Sequence, residues 1–242
     1  MCTTLSELIQ WSRARAVADG SWLGSEEQRE MLERSLETVF CTTDVTVEWA
    51  RPGDGSFWEP ASRVLTFEQP RAHAGASAAD VAEFAALGVL HEALHARYTT
   101  SLGSYPRRRE ALPSQLRPAV ERLFNLLEDY RITALGTDAQ PELAPPLERF
   151  MDEAARQVAV EARSRQGDPD TAGPRSQQNQ LFFALLTRAL RPQQSLTLHP
   201  NVERRLDELL PLVDRARTGS TEDCGLAAVA TVEAVMETPL PT

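Results

Sequence analysis

The chain reads as a mainly α-helical protein with one small antiparallel β-sheet, an α+β fold. Three observations predict it. Capping signals followed by apolar residues at helical spacing recur along the chain. Period-two alternation rich in β-branched residues is confined to one region, residues 44–67. Gly- and Pro-containing breaks cut the rest into segments of ordinary helix length. The 242 residues, 42% apolar and 25% charged, are those of a globular protein with enough buried surface for a core.

In order, Thr4-Leu5-Ser6-Glu7 has capping-box spacing and opens a helix to about Asp19, stopped by Gly20. Ser25-Glu26-Glu27-Gln28 repeats the device and opens a second, to about Phe40, whose Met31, Leu32, Ser35, Leu36 and Val39 follow helical spacing. Asp44 to Trp49 alternates as a strand, Pro52-Gly53-Asp54-Gly55 is turn chemistry, and Arg63 to Phe67 is another strand, with a short one at Ser56 to Trp58 before it. Ser77-Ala78-Ala79-Asp80 caps a long apolar helix that Gly103 could end. Ser101 to Ser114, with Pro106, Pro113 and Arg107 to Arg109, reads as a loop whose arginines are solvated or form a cationic rim. Gln115 to Gly136 is a helix with Ala119, Leu123, Leu126, Leu127, Tyr130 and Ala134 toward the core and Asn125, Glu128, Asp129 and Ile132 on the other side. Further helices follow at Leu147–Arg165, Gln180–Leu190, Asn201–Ala216 and Glu222–Met236, with a polar, mobile loop at Gly167–Gln178. The organisation predicted is a core over 1–166, the loop at 167–178, and a helical C-terminal lobe at 179–242 within the same domain.

Net charge of −10 and a pI near 5.0 argue against nucleic acid as the partner, since phosphate binding needs a basic footprint. Every basic side chain is Arg and none is Lys, a pattern that fits GC-rich coding and gives no phosphate-binding signal. Cys2, Cys41 and Cys224 are odd in number and far apart, so neither a disulfide framework nor a thiolate cluster is expected. No signal-peptide pattern and no run of eighteen apolar residues is seen, so the expectation is a cytoplasmic protein.

The chemistry concentrates at His91-Glu92-Ala93-Leu94-His95. On a helix, residues four apart share a face, so His91 and His95 can offer two imidazole nitrogens to one metal ion. Glu92 beside them is placed to act as general base on metal-activated water, the H-E-x-x-H logic of zinc hydrolases. A catalytic zinc takes three protein ligands and keeps a fourth position open. His73 and His199 do not have the spacing of a three-histidine site. Asn125-Leu126-Leu127-Glu128-Asp129-Tyr130-Arg131, on the helix one loop later, supplies the better source. Glu128 is predicted as the third ligand, with Asp129 as the carboxylate that accepts the second N–H of a ligating imidazole, and Asn125 nearby.

Residues 91–99 and 125–132 together resemble the metallopeptidase domain that precedes von Willebrand A domains in some bacterial and phage proteins. That domain is similar to the cobaltochelatase T subunit and to MoxR-associated metallopeptidases. More broadly they resemble the gluzincins, whose third ligand is a Glu on a later helix. The resemblance covers mainly Leu87 to Ile132 and the strand Arg63 to Phe67. It implies a zincin-like fold, a Zn2+ cofactor and peptide-bond hydrolysis. It also implies a AAA+ ATPase or von Willebrand A domain as partner, so that an adaptor with little turnover is the competing expectation. The chain lacks a von Willebrand domain, which fits a stand-alone form or a fragment. Tyr98, Tyr130, Arg131 and His73 are the candidates to stabilise an oxyanion. The Arg63–Phe67 strand is a candidate edge for an extended peptide substrate.

Overall fold

The computed structural model describes residues 4–40, 45–51, 57–59, 62–70, 77–152, 174–190 and 196–237. They form a mainly helical protein with a three-stranded sheet. The chain divides into two compact units, Met1–Tyr98 with Gly136–Phe150, and Thr99–Leu135 with Met151–Thr242.

The first unit opens with α1 (Leu5–Ala18), capped as its sequence requires: Thr4 accepts from the Glu7 N–H, and the Glu7 carboxylate accepts from the Thr4 N–H. In α2 (Glu26–Phe40), Ser25 Oγ accepts from the Gln28 N–H at 3.2 Å, while the Gln28 side chain accepts from Gly24 instead of closing the box. Helix α1 packs on α3 (Ala78–Tyr98), with Ala16, Trp22 and Ala82 at the contact. Ser77 caps α3, accepting from the Asp80 N–H and donating to its carboxylate. Helix α3 is buried over most of its circumference, as an almost wholly apolar helix must be, and it ends at Tyr98, before Gly103.

Strands β1 (Thr46–Ala50), β2 (Phe57–Glu59) and β3 (Val64–Glu68) lie in the order β1-β3-β2. The expected antiparallel sheet is therefore mixed: β3 pairs antiparallel with β2 and parallel with β1, Val47 opposite Leu65. Alternation marks which face of a strand is buried but not which strand lies beside it. Here the centre goes to β3, whose Leu65 and Phe67 are both buried. A central strand has partners on both sides, so β3 is no open edge for a peptide. Phe67 lies against Gly88 of α3, where an added Cβ would come 2.3 Å from two ring carbons. Sheet and helix thus meet one turn before His91.

The second unit contains α4 (Tyr105–Glu110), α5 (Arg117–Ala139) as far as Leu135, α7 (Pro174–Leu190), α8 (Pro200–Thr218) and α9 (Thr221–Glu237); helical residues 144–152, the described part of α6, lie between α5 and α7. Helix α4 falls in the expected Ser101–Ser114 loop. Pro106 is tolerated in a first helical turn, and buried Tyr105 anchors the segment, stacked on Phe124 with ring centroids 4.7 Å apart. Arg107 and Arg108 are exposed, and Arg109 bonds Glu110 and Glu121, so the arginine run is a solvated helix face. Helix α7 begins at Pro174, inside the span expected as a loop; residues 167–173 lie outside the described residues. Val202, Leu206, Leu209, Val213 and Ala216 give α8 one buried stripe, against α7 and α9. Among the described residues no helix is long and apolar enough to cross a membrane.

Candidate metal centre

Helical spacing on α3 brings His91 and His95 together, their ring centroids 5.1 Å apart and their planes at 86°. His91 is 4% exposed, and its ring lies 5.1 Å from that of Phe150, which in turn packs on Phe84. These aromatic contacts limit the rotations open to the imidazole. His95 is half-buried in the last turn of α3.

Asp129 of α5 completes a group of three. His91, His95 and Asp129 each offer one ligand atom, and all three atoms lie within 4.8 Å of one another. Ligands about 2.0–2.1 Å from a tetrahedral ion stand about 3.3 Å apart, so small side-chain rotations would close the set on a metal. Two imidazoles and a carboxylate are a donor set that such an ion takes. One of the three residues is buried and two are half-buried. Glu92, half-buried, directly follows His91.

Glu128, expected as the third ligand, is not a member of this group. It is 1% exposed and bound from three directions. Arg131 donates from Nε to Oε2 at 2.8 Å and from Nη2 to Oε1 at 2.6 Å. The hydroxyls of Thr99 and Thr221 donate to Oε1 at 3.0 and 2.9 Å. Burial opposes ionisation of the Glu128 carboxyl, but the Arg131 hydrogen bonds and charge, with the two hydroxyls, outweigh it and hold the group below the usual carboxylate range. Asp129 is grouped with the imidazoles, and Glu128 belongs to a buried ion pair. Consecutive helical residues point about 100° apart, so both could not do the same work.

Arg131, considered for the oxyanion, is 5% exposed and committed to Glu128 and to Thr221 Oγ1, 3.0 Å away. Tyr98 is half-buried at the end of α3, with the Arg97 guanidinium 5.4 Å from its ring centre. Tyr130 lies under the guanidinium of Arg217, at 4.8 Å. Asn125 is exposed on α5. His199 caps α8, its Nδ1 accepting from the Asn201 N–H. His73 lies outside the described residues. Of the cysteines, Cys2 and Cys41 lie outside them too, and Cys224 is a buried free thiol whose pKa is pushed up by burial and by the charge of Glu128. Sequence reasoning did not find Phe150, Thr99, Thr100 or Thr221; helical spacing from His91 or Glu128 reaches none of them. Compared with protein-family models, curated proteins and solved structures, the chain matches none.

Proposed function

We propose that the protein is a zinc-dependent peptidase whose metal ligands are His91, His95 and Asp129, with Glu92 as general base. One observation carries this reading: three donor atoms of suitable chemistry converge within 4.8 Å, one residue from Glu92 on the same helix. Zinc in such a set supplies a Lewis acid and lowers the pKa of water toward neutrality. Glu92 would take the proton from the attacking water and deliver it to the leaving amine. Tyr98, three residues beyond His95, is the proposed hydrogen-bond donor to the developing oxyanion, Arg131 being held by Glu128. The resemblance to gluzincin-like domains supports the same chemistry, with an Asp in place of the Glu ligand.

Metal analysis and cleavage assays test it. Purified protein should carry about one zinc per chain, and His95→Ala should lose it. Recovery of iron instead would favour an oxygenase-type use of two His and one carboxylate. Glu92→Gln should keep the metal and lose cleavage of a peptide library by at least about 100-fold. Equal cleavage by wild type and Glu92→Gln would remove Glu92 as the base.

A further inference from the structure

The structure assigns a positioning role to Phe150 of α6: its ring fixes the plane of the His91 imidazole, and so the direction in which His91 offers a nitrogen to a metal ion. This rests on the metal reading above, and Phe84, His91 and Phe150 all belong to the first unit. Phe84 and His91 stand seven residues apart on α3, two turns along one face. Phe150 bridges them. Its ring centre lies 5.2 Å from that of Phe84 and 5.1 Å from that of His91, with the planes tilted by 32° and 33°. The two contacts span the rise of about 10 Å that seven helical residues make. Three rings thus form one tilted stack, 42% exposed at its Phe84 end and 4% exposed at His91.

The residue before Phe150 ties the same junction. Arg149 donates to Glu83 Oε1 at 2.9 Å, and Glu83 also accepts from Arg13 of α1. Consecutive residues of α6 therefore grip consecutive residues of α3. The lone pair of an imidazole nitrogen lies in the ring plane, so a ligating histidine must hold its plane toward the ion. The terminal torsion of a histidine is broad, and the helix backbone alone leaves that plane poorly defined. A ring packed against the imidazole stops it tilting that way, because carbon atoms repel inside about 3.5 Å. Phe150 supplies this stop, and the Arg149–Glu83 bond helps to hold Phe150 in place. His91 is the fixed member of the group; the less buried His95 and Asp129 make the rotations that close it.

The test uses the metal-stripped full chain titrated with Co2+, read by its visible absorption spectrum, and with Zn2+ in competition. Phe150→Leu keeps an apolar side chain but removes the flat ring. It should weaken metal binding about tenfold and change the cobalt spectrum, the scale seen when groups supporting a ligand are lost. Phe150→Tyr keeps the ring and should bind as wild type does. Leu36→Ala, a core change on α2 of the same unit, should lower stability yet leave affinity and spectrum unchanged. A folded Phe150→Leu with wild-type affinity and spectrum overturns the inference. So does an equal loss in Phe150→Tyr, where the ring remains, or in Leu36→Ala, which would make the effect one of stability alone. Should Phe150→Leu fail to fold, Phe84→Ala decides by removing the ring that backs Phe150: binding weakened about threefold supports the inference, and unchanged binding overturns it. Wild type that binds neither ion sinks the metal reading itself, a result distinct from all of these.

Discussion

Glu128 and Asp129 are adjacent carboxylates, and the same amide substitution should affect them in opposite ways. Glu128→Gln leaves the Arg131 guanidinium, its side chain 6% exposed, facing a neutral amide in place of a carboxylate. Breaking a buried ion pair from one side costs about 3–5 kcal/mol; Gln keeps one acceptor oxygen, so about 3 kcal/mol is expected. For a chain of this size that lowers the melting temperature by about 6–12 °C. Asp129→Asn leaves the Glu128–Arg131 pair intact, and the metal-free protein should lose less stability than Glu128→Gln does. It should instead lose metal affinity by more than the 10- to 100-fold typical of supporting groups. Calorimetry in the presence of chelator reads the first quantity, and metal titration of the stripped protein reads the second. If Glu128→Gln abolished metal binding while melting within about a degree of wild type, Glu128 would be the ligand and the ion-pair argument would be wrong.

Two further predictions concern the same fold. The Glu128 carboxyl titrates below its ordinary 4.5 in the folded protein, so its stabilising contribution is complete above that value and is lost as pH falls through the lower folded pKa. In chelator, the stability gap between wild type and Glu128→Gln should stay flat from about pH 7 to 5.5 and close below about pH 4.5; a gap that narrows between pH 7 and 5.5 would contradict the depressed pKa. Gly88→Ala gains about 1 kcal/mol of helix propensity but drives a methyl to within 2.3 Å of the Phe67 ring. Overpacking of that severity should prevail, with a net loss of about 1–2 kcal/mol by urea denaturation, and a stabilised variant would show that the ring can move aside.

Where a feature is set by neighbours in sequence, it was legible. The Thr4–Glu7 box and the Ser77 cap are decided within four residues, and the structure places them where the capping residues stand. The same holds for the two imidazoles, whose juxtaposition needs only a helix. Features decided at a distance were read less well. Helix α4 depends on the burial of Tyr105, which packs on Phe124 and closely against Gly225 of α9, where an added Cβ would meet the ring at 2.4 Å. Locally, Pro106 and three arginines suggest a loop. The strand order β1-β3-β2 depends on which strand can bury both Leu65 and Phe67, and alternation does not encode that. Ile132, expected on the outer side of α5, is fully buried, so the helix is rotated from the face its apolar residues suggested.

The structure groups Asp129, one position from the expected Glu128, with the two imidazoles. From sequence, Glu128 and Asp129 are both acidic residues on the less apolar side of a helix, and a longer side chain makes Glu128 the natural choice to reach a metal. What separates them is Arg131, one turn along α5, and Thr221, which is more than ninety residues further along the chain. Arg131 alone would suggest an exposed i, i+3 pair of small value. Burial beneath the start of α9 turns the same pair into a fixed structural element. The candidate group is therefore encoded in two layers. A local one, within five residues of α3, supplies the two imidazoles; a long-range one, through a threonine hydroxyl, ties Glu128 into a buried network.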